Sequence, residues 1–556
     1  MALSKSRAIG VVLFFLGLFG LASARLFFLQ VVKGPEFLRL GQNQYRVVEK
    51  HYPARALLYD CAGEPLALNQ EVLSAFVVPN DVGDLPRLKT FLRKHFPQAH
   101  ERLGKKSGAH FMYVKRGLSD DEIKLINNFE SDDIRLLREQ RRFYPVASLG
   151  NTIGFADIDN HGIAGLELLY NAQLAGMPTE FRLEKDARSA CFYFKKETTE
   201  SGHEGTPLTL TINGKIQYMT HALVREYVLK MQAHEGAALV MDPATGAILA
   251  MACYPDFDPN EPIPATLDVT KNTIITNAYE LGSVMKPFTF LGALAEKLVT
   301  PDELLNCEGV EQTYINGIKV TTWKAHGVMP ATDVLRLSNN IGTMKVAQRL
   351  GPKLYEHLKR CGFSQPTGIR FLGEQRGTIT PPDKWSNSSL LWLSCGYEIT
   401  ATLLQLARAF CLFANRGVPI IPHLVVSEKL PVLPRLYTPE VMETLCQMLT
   451  VQQKEGTTLG AYIPGYRVIG KTGSANLAGL HGYDKQKSIY TFAGIIEQGA
   501  YKRVIIVFIR EPVVVERIRG HVYASTAVVP VFKEIAQRLV ALEHVPPALP
   551  AIGSSA

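Results

Sequence analysis

Ser283 and Lys286 stand three positions apart in Ser283-Val284-Met285-Lys286, and an apolar run, Pro287-Phe288-Thr289-Phe290-Leu291-Gly292-Ala293-Leu294, follows at once. A serine hydroxyl is a weak nucleophile and needs a base beside it. An amine can serve if its pKa is depressed. On a helix that starts near Ser283, Lys286 falls on the same face at i+3. Pro287 is tolerated only in a first turn, which supports that start. Alone the pattern is weak, since average composition gives about two S-x-x-K in a chain of this length. A polar pair on an exposed helix turn has the same appearance.

Two further groups follow in the chain. Ser338-Asn339-Asn340 lies between the helical stretches 331–337 and 344–350. A hydroxyl and an amide at such a junction can relay a proton and hold a substrate amide, although ordinary helix capping uses the same residue types. Ser474-Ala475-Asn476 repeats the S-x-N spacing and shows how common it is. Lys471-Thr472-Gly473, extended by Ser474, follows the strand-like Tyr466-Arg467-Val468-Ile469-Gly470. Lys and Thr at a cleft can clamp a carboxylate, and Gly473 lets a substrate backbone come close. A plain turn at a strand end is the competing account.

The elements that must position these residues are legible around them. Leu208-Thr209-Leu210-Thr211-Ile212 alternates as a strand, and Asn213 is placed to cap a helix from Lys215 to Met231. Residues 237–241 and 247–252 form apolar strands joined by Asp242-Pro243-Ala244-Thr245-Gly246, which has turn chemistry. A second strand pair spans 489–496 and 503–509. Strands at both ends of a helical middle predict one antiparallel sheet covered by helices. Upstream, residues 34–205 alternate β-like pieces (76–78 and 110–114) with polar helical stretches such as 120–129, an α+β region. The polar run 195–205 reads as a linker.

The chain has 556 residues, 46% apolar and 20% charged. Those proportions exclude a mostly disordered, collagen-like or multi-span membrane chain. The net charge of +8 is mild, and the basic runs 102–116 and 135–142 are interrupted by acids and apolar residues. They read as solvated faces rather than a nucleic-acid surface. Eight cysteines (Cys61, Cys191, Cys253, Cys307, Cys361, Cys395, Cys411 and Cys446) show no metal-type spacing, and most read as small buried hydrophobes. Residues 8–24 are an uncharged apolar run of 17 residues, preceded by Lys5 and Arg7. This predicts a single membrane anchor with the amino terminus cytoplasmic. Ala22-Ser23-Ala24 also fits a signal-peptidase site. The apolar character continues past it in residues 26–29, which favours the uncleaved anchor, and either reading exports the bulk of the chain.

The ordered set S-x-x-K, S-x-N, K-T-G resembles the signature of penicillin-binding proteins and serine β-lactamases. The contexts sharpen the likeness. Tyr279-Glu280-Leu281-Gly282-Ser283-Val284-Met285-Lys286-Pro287 is similar to the family's Y-E-P-G-S-x-x-K-P, with Leu281 in place of the first Pro. Residues 396–407 resemble its G-x-x-x-x-x-T-P-x-Q-L-A, again without the Pro. Tyr254-Pro255-Asp256-Phe257-Asp258-Pro259-Asn260 resembles the approach to the active serine. Arg55-Ala56-Leu57-Leu58-Tyr59-Asp60 and Gly165-Leu166-Glu167 match recurrent amino-terminal pieces. The chain is therefore identified as resembling a monofunctional, class B penicillin-binding protein over nearly its whole length.

The resemblance implies an α+β multidomain chain. Residues 1–33 would be the cytoplasmic tip and anchor, 34–205 a non-catalytic pedestal of the dimerisation type, 206–540 the transpeptidase domain and 541–556 a flexible tail. It implies acyl transfer without metal or organic cofactor. Ser283 would attack the penultimate D-alanine carbonyl of a peptidoglycan stem peptide, with Lys286 as base. Ser338 and Asn340 would relay the proton and position the peptide. Lys471, Thr472, Gly473 and Ser474 would form the substrate-binding side, and the oxyanion hole would use the N–H groups of Ser283 and Ser474. A neighbouring stem amine would then take the acyl group. The implied location is the bacterial cytoplasmic membrane with the catalytic domain outside. The implied partners are a polytopic glycosyltransferase and division proteins, with β-lactams as covalent inhibitors. Compact length and the short strand–loop–strand over 466–496 lean toward septal synthesis. D,D-carboxypeptidase and a catalytically weak scaffold are the alternatives. A β-lactamase needs a water-positioning glutamate, and Glu303-Leu304-Leu305-Asn306 only echoes that motif, at the wrong place in the chain.

Overall fold

The computed structural model describes residues 5–105, 111–185, 193–261, 267–453, 456–479, 482–516 and 521–548. Cys191, His110 of the expected strand 110–114, and residues 549–556 of the expected tail lie outside the described residues. The chain divides into two compact units, residues 1–56 with 175–206, and residues 57–174 with 207–556.

In the first unit Lys5–Phe27 is one α-helix that continues as a π turn to Val32. Over these 28 residues it is long and apolar enough to cross a membrane. Its large apolar side chains are exposed, from Ile9 through Val32. The unit also holds a three-stranded antiparallel sheet, with Thr179–Lys185 between Arg46–His51 and Tyr193–Glu200. This corrects the linker expected at 195–205. Its first part is a strand, in which Phe181 pairs with Thr198 and Arg182 with Glu197. Lys195-Lys196-Glu197-Thr198-Thr199-Glu200 has no apolar alternation, so ladder hydrogen bonds rather than an apolar face define it.

The second unit is built on a five-stranded antiparallel sheet. Its strands are β1 (Glu235–Met241), β2 (Ile248–Tyr254), β3 (Arg467–Gly479), β4 (Gly482–Gln498) and β5 (Tyr501–Arg510). The order is β2-β1-β5-β4-β3. Both strand pairs read from sequence are present and run longer than expected. Residues 504–509 of β5 are continuously buried, because helices cover both faces of the sheet.

Seven helices matter here: α1 (Gly214–Met231), α2 (Lys286–Ala295), α3 (Ala331–Arg336), α4 (Asn340–Leu350), α5 (Leu403–Ala414), α6 (Pro439–Leu449) and α7 (Val529–Leu542). Asn213 caps α1 as expected, its side chain accepting from the N–H groups of Lys215 and Ile216. Leu223, Val224 and Val228 of α1 join Phe532, Ile535 and Leu539 of α7 in the core on one face. Helix α5 packs on β1, β4 and β5, and α2 packs against α4 and α6. Helix α4 starts at Asn340, four residues earlier than the apolar pattern indicates, because Asn339 caps it through the Gly342 N–H. The strand expected over 208–212 is confined to Leu208–Thr209, which runs parallel to Leu58–Tyr59.

Residues 57–174 add a second sheet, with Pro65–Val77 at its centre. It is tied to the start of α1 by the Asp60 carboxylate. Asp60 accepts from the Ala62 and Glu64 N–H groups and also from Gly214 at the start of α1. The basic run 135–142 lies on the exposed strand Arg135–Phe143, as expected, except that Arg142 is buried against Glu167 at 2.8 Å.

Candidate active site

Ser283 sits in a 3₁₀ turn, Gly282–Met285, that leads directly into α2, with Pro287 in the first helical turn. Close backbone packing holds this turn on two sides. The Gly282 N–H donates to the Gly396 carbonyl at 3.2 Å, and Tyr279 and Ala401 exchange both backbone hydrogen bonds. A Cβ on Gly396 would lie 2.1 Å from the Gly282 oxygen, and one on Gly473 would lie 2.5 Å from the Leu281 oxygen. Only glycine permits either approach. Glu280, just before the turn, accepts from the Glu398 N–H and from the Tyr483 hydroxyl at the far end of β4.

Lys286 is fully buried. Its ammonium donates to the Ser338 carbonyl at 2.7 Å, the Asn340 Oδ1 at 2.6 Å and the Ser338 Oγ at 3.2 Å. Three donors thus meet three acceptors. Asn340 is oriented from its other end, where Nδ2 donates to the Thr321 carbonyl at 2.6 Å. Lys471 on β3 reaches the same hydroxyl from the opposite side, donating to Ser338 Oγ at 2.9 Å and to the Thr472 carbonyl at 2.9 Å. With both its lone pairs occupied, the Ser338 hydroxyl proton is left to point into the cavity that the residue lines. Ser338 has φ +58°, a left-handed conformation that a serine adopts only when its surroundings impose it.

The two amines are electrostatically unusual. Burial pushes Lys286 down to about 8, with a small opposing effect of Cys395. Burial also holds Lys471 well below the ordinary lysine range, and the nearby Lys286 charge adds to the effect. Among the described residues no carboxylate forms an ion pair with either. No group of three or more metal-ligating side chains is found among the described residues, and the described cysteines are unpaired, six buried and Cys61 exposed.

Above these amines opens a cavity of about 330 Å³. Ser283, Ser338, Asn340, Thr472 and Ser474 line it, so five of the eight residues singled out from sequence meet at one surface. Lys286 and Lys471 lie beneath it, and Gly473 packs under the Ser283 turn. The second S-x-N divides, since Ser474 faces the cavity while Asn476 accepts from Ser488 across the β3–β4 ladder. Glu303 of the chance echo pairs with Arg349. Trp323, Thr457, Tyr523 and Ser525 also line the cavity and carried no sequence signal. Trp323, Thr457 and Tyr523 come from loops and Ser525 from the short helix Ala524–Ala527, and the approach of each depends on the closed fold. The arrangement sets a partly neutral amine beneath the cavity that Ser283 lines, with Ser338 placed to relay a proton and Thr472 to receive an anionic group.

Residues 236–537 match the penicillin binding protein transpeptidase domain, and residues 50–210 match the penicillin-binding protein dimerisation domain. The chain is 30% identical over 512 residues to a probable peptidoglycan D,D-transpeptidase PbpC of Pseudomonas aeruginosa, covering 91% of this chain and 90% of that one. It is 27% identical over 525 residues to the peptidoglycan D,D-transpeptidase FtsI of Escherichia coli, covering 92% and 87%. The crystal structure of penicillin binding protein 3 from Mycobacterium tuberculosis, complexed with aztreonam, superposes with a TM-score of 0.68 at 25% identity, over 91% of this chain and all of that one. A catalytic domain of this kind, preceded by a dimerisation domain and one apolar helix, places the chain in the penicillin-binding protein transpeptidase family, in its class B arrangement.

Proposed function

We propose that the chain is a peptidoglycan D,D-transpeptidase that works through an acyl-enzyme on Ser283. The observation that carries the reading is the convergence of two buried, carboxylate-free amines on Ser338 beneath the cavity that Ser283 lines. With Lys286 near 8, about a tenth of the population is neutral at pH 7, against well under a thousandth for an ordinary lysine. That fraction is the general base that takes the Ser283 proton. Ser338 carries the proton onward to the departing D-alanine amine, and Asn340 holds the stem-peptide amide. Lys471 and Thr472 receive the terminal carboxylate. The N–H groups of Ser283 and Ser474 stabilise the oxyanion, each worth roughly 3 kcal/mol. The amine of a second stem peptide then attacks the ester carbonyl, the Ser283 oxygen leaves, and the cross-link is made.

In this reading residues 1–33 anchor the chain in the bacterial cytoplasmic membrane, and 34–205 form the pedestal. Residues 206–540 act outside the membrane, and 541–556 are a tail. A polytopic glycosyltransferase and division proteins are the partners, septal wall synthesis is the setting, and β-lactams acylate Ser283. The resemblance at residues 279–287 and the compact strand–loop–strand over 466–496 support this assignment.

The test is labelling of the purified full-length protein with a fluorescent penicillin, beside Ser283→Ala. Label that persists for hours on the wild type and is lost in the variant is expected. A folded wild type that takes no label would falsify the assignment. Rapid shedding of label would move it to a hydrolase, and a stem-peptide assay that yields only the shortened peptide would make it a carboxypeptidase.

A further inference from the structure

We propose that Thr457, in the loop between α6 and β3, is a second hydroxyl of the carboxylate-binding site, acting beside Thr472. The inference rests on the transpeptidase reading above and adds a residue to it. Thr457 and Thr472 both line the cavity that holds Ser283. Their hydroxyl oxygens lie 2.9 Å apart, with Thr472 donating to Thr457. Thr457 in turn donates to the Arg336 carbonyl at 3.4 Å, a long and weak contact that a better acceptor can displace. Its backbone N–H also reaches the Arg336 carbonyl, at 3.4 Å, which ties the loop to the end of α3.

The geometry points to a shared task. The two oxygens of a carboxylate lie roughly 2.2 Å apart, so two hydroxyls 2.9 Å apart can each donate to one of them. In the structure Thr472 donates its proton to Thr457. When an anion arrives, Thr472 turns its proton to the nearer oxygen. Thr457, released from Arg336, then gives its own proton to the other oxygen. Lys471 lies beneath Thr472 with two of its donors on Ser338 Oγ and the Thr472 carbonyl, and the hydroxyls add donors to the one it can still offer the carboxylate. Thr472 is buried and fixed in β3. Thr457 follows Gly456, whose φ of +122° favours glycine.

The test compares benzylpenicillin, which carries the carboxylate, with its methyl ester, which does not, on wild type, Thr457→Val and Thr457→Ser. Acylation of Ser283 is followed as the second-order rate constant for each ligand. Valine keeps the shape of threonine, and an unchanged Tm confirms that the fold is retained. The expected result is about a tenfold fall for the free acid in Thr457→Val, little change for the ester, and recovery in Thr457→Ser. An equal fall for both ligands, or no fall for the acid, overturns the inference. A wild type that neither ligand labels overturns the transpeptidase reading and this inference together, whereas a labelled wild type with unchanged selectivity overturns this inference alone.

Discussion

Two buried cations in the second unit have opposite surroundings. Arg142 lies against Glu167 at 2.8 Å, both side chains almost inaccessible to water. Its charge is balanced by a carboxylate, and that carboxylate is also within reach of the Tyr144 hydroxyl. Lys286 is as deeply buried, yet it holds only neutral oxygens and has a second amine, Lys471, on the far side of Ser338. A paired buried cation fixes structure, because losing one partner strands the other charge. An unpaired one keeps its proton loosely, because water and counter-charge are both withheld. The same degree of burial therefore builds a joint at Arg142 and, in the proposed reading, a base at Lys286.

Breaking each cluster should show the difference. Lys286→Met is expected to slow acylation by a factor of about 100 to 10,000, the range of general base catalysis. Labelling kinetics would measure it, and a loss below tenfold would remove Lys286 from the chemistry. Glu167→Gln should leave labelling per folded molecule unchanged while lowering unfolding free energy by about 3 to 5 kcal/mol in denaturant titration. The shift in midpoint should far exceed that of Lys286→Met. If the two variants traded places, the distinction between joint and base would fail.

The pH dependence sharpens the comparison. The folded value of Lys286 is about 8 and its ordinary value is 10.5, so between them the unfolded chain binds the extra proton. Stability should therefore rise with pH across that window, by up to about 1.4 kcal/mol per unit for this group. Subtracting the Lys286→Met curve isolates it, and a flat difference would contradict the depressed value. Acylation should rise over the lower part of the same window as Lys286 loses its proton. Smallest of all, Arg138 and Glu71 pair at 3.1 Å with both side chains largely exposed. Removing that pair should change stability by no more than about 0.5 kcal/mol, and its effect should vanish in high salt.

What the sequence made legible was local. The Asn213 cap, the 235–254 hairpin and the S-x-x-K turn each depend on residues within a few positions of one another. The three chemical motifs are short and ordered, and the family resemblance they carry implied their convergence without the path between them. Thr457, Trp323 and Tyr523 offered no such handle, because each reaches the cavity only once the sheet and its helices have closed. Arg142 was hidden in a run of exposed arginines, distinguished only by a glutamate 25 residues away in the chain. Residues 195–200 of the strand Tyr193–Glu200 read as part of a linker over 195–205 because their polar run has no apolar alternation, and hydrogen bonds to Thr179–Lys185 define the strand instead.

The glycine clamp around Ser283 limits how this protein can adapt. Gly282, Gly396 and Gly473 meet neighbouring backbone so closely that any side chain there would displace the turn that carries Ser283. A lineage under selection by an antibiotic cannot escape through that turn without also losing its own cross-linking activity. Its room for change lies in the cavity wall, at positions such as Trp323, Tyr523 and Ser525, which line the cavity and are not glycines held against backbone. Resistance should therefore accumulate around the rim of the site, while the turn that bears the serine stays the same.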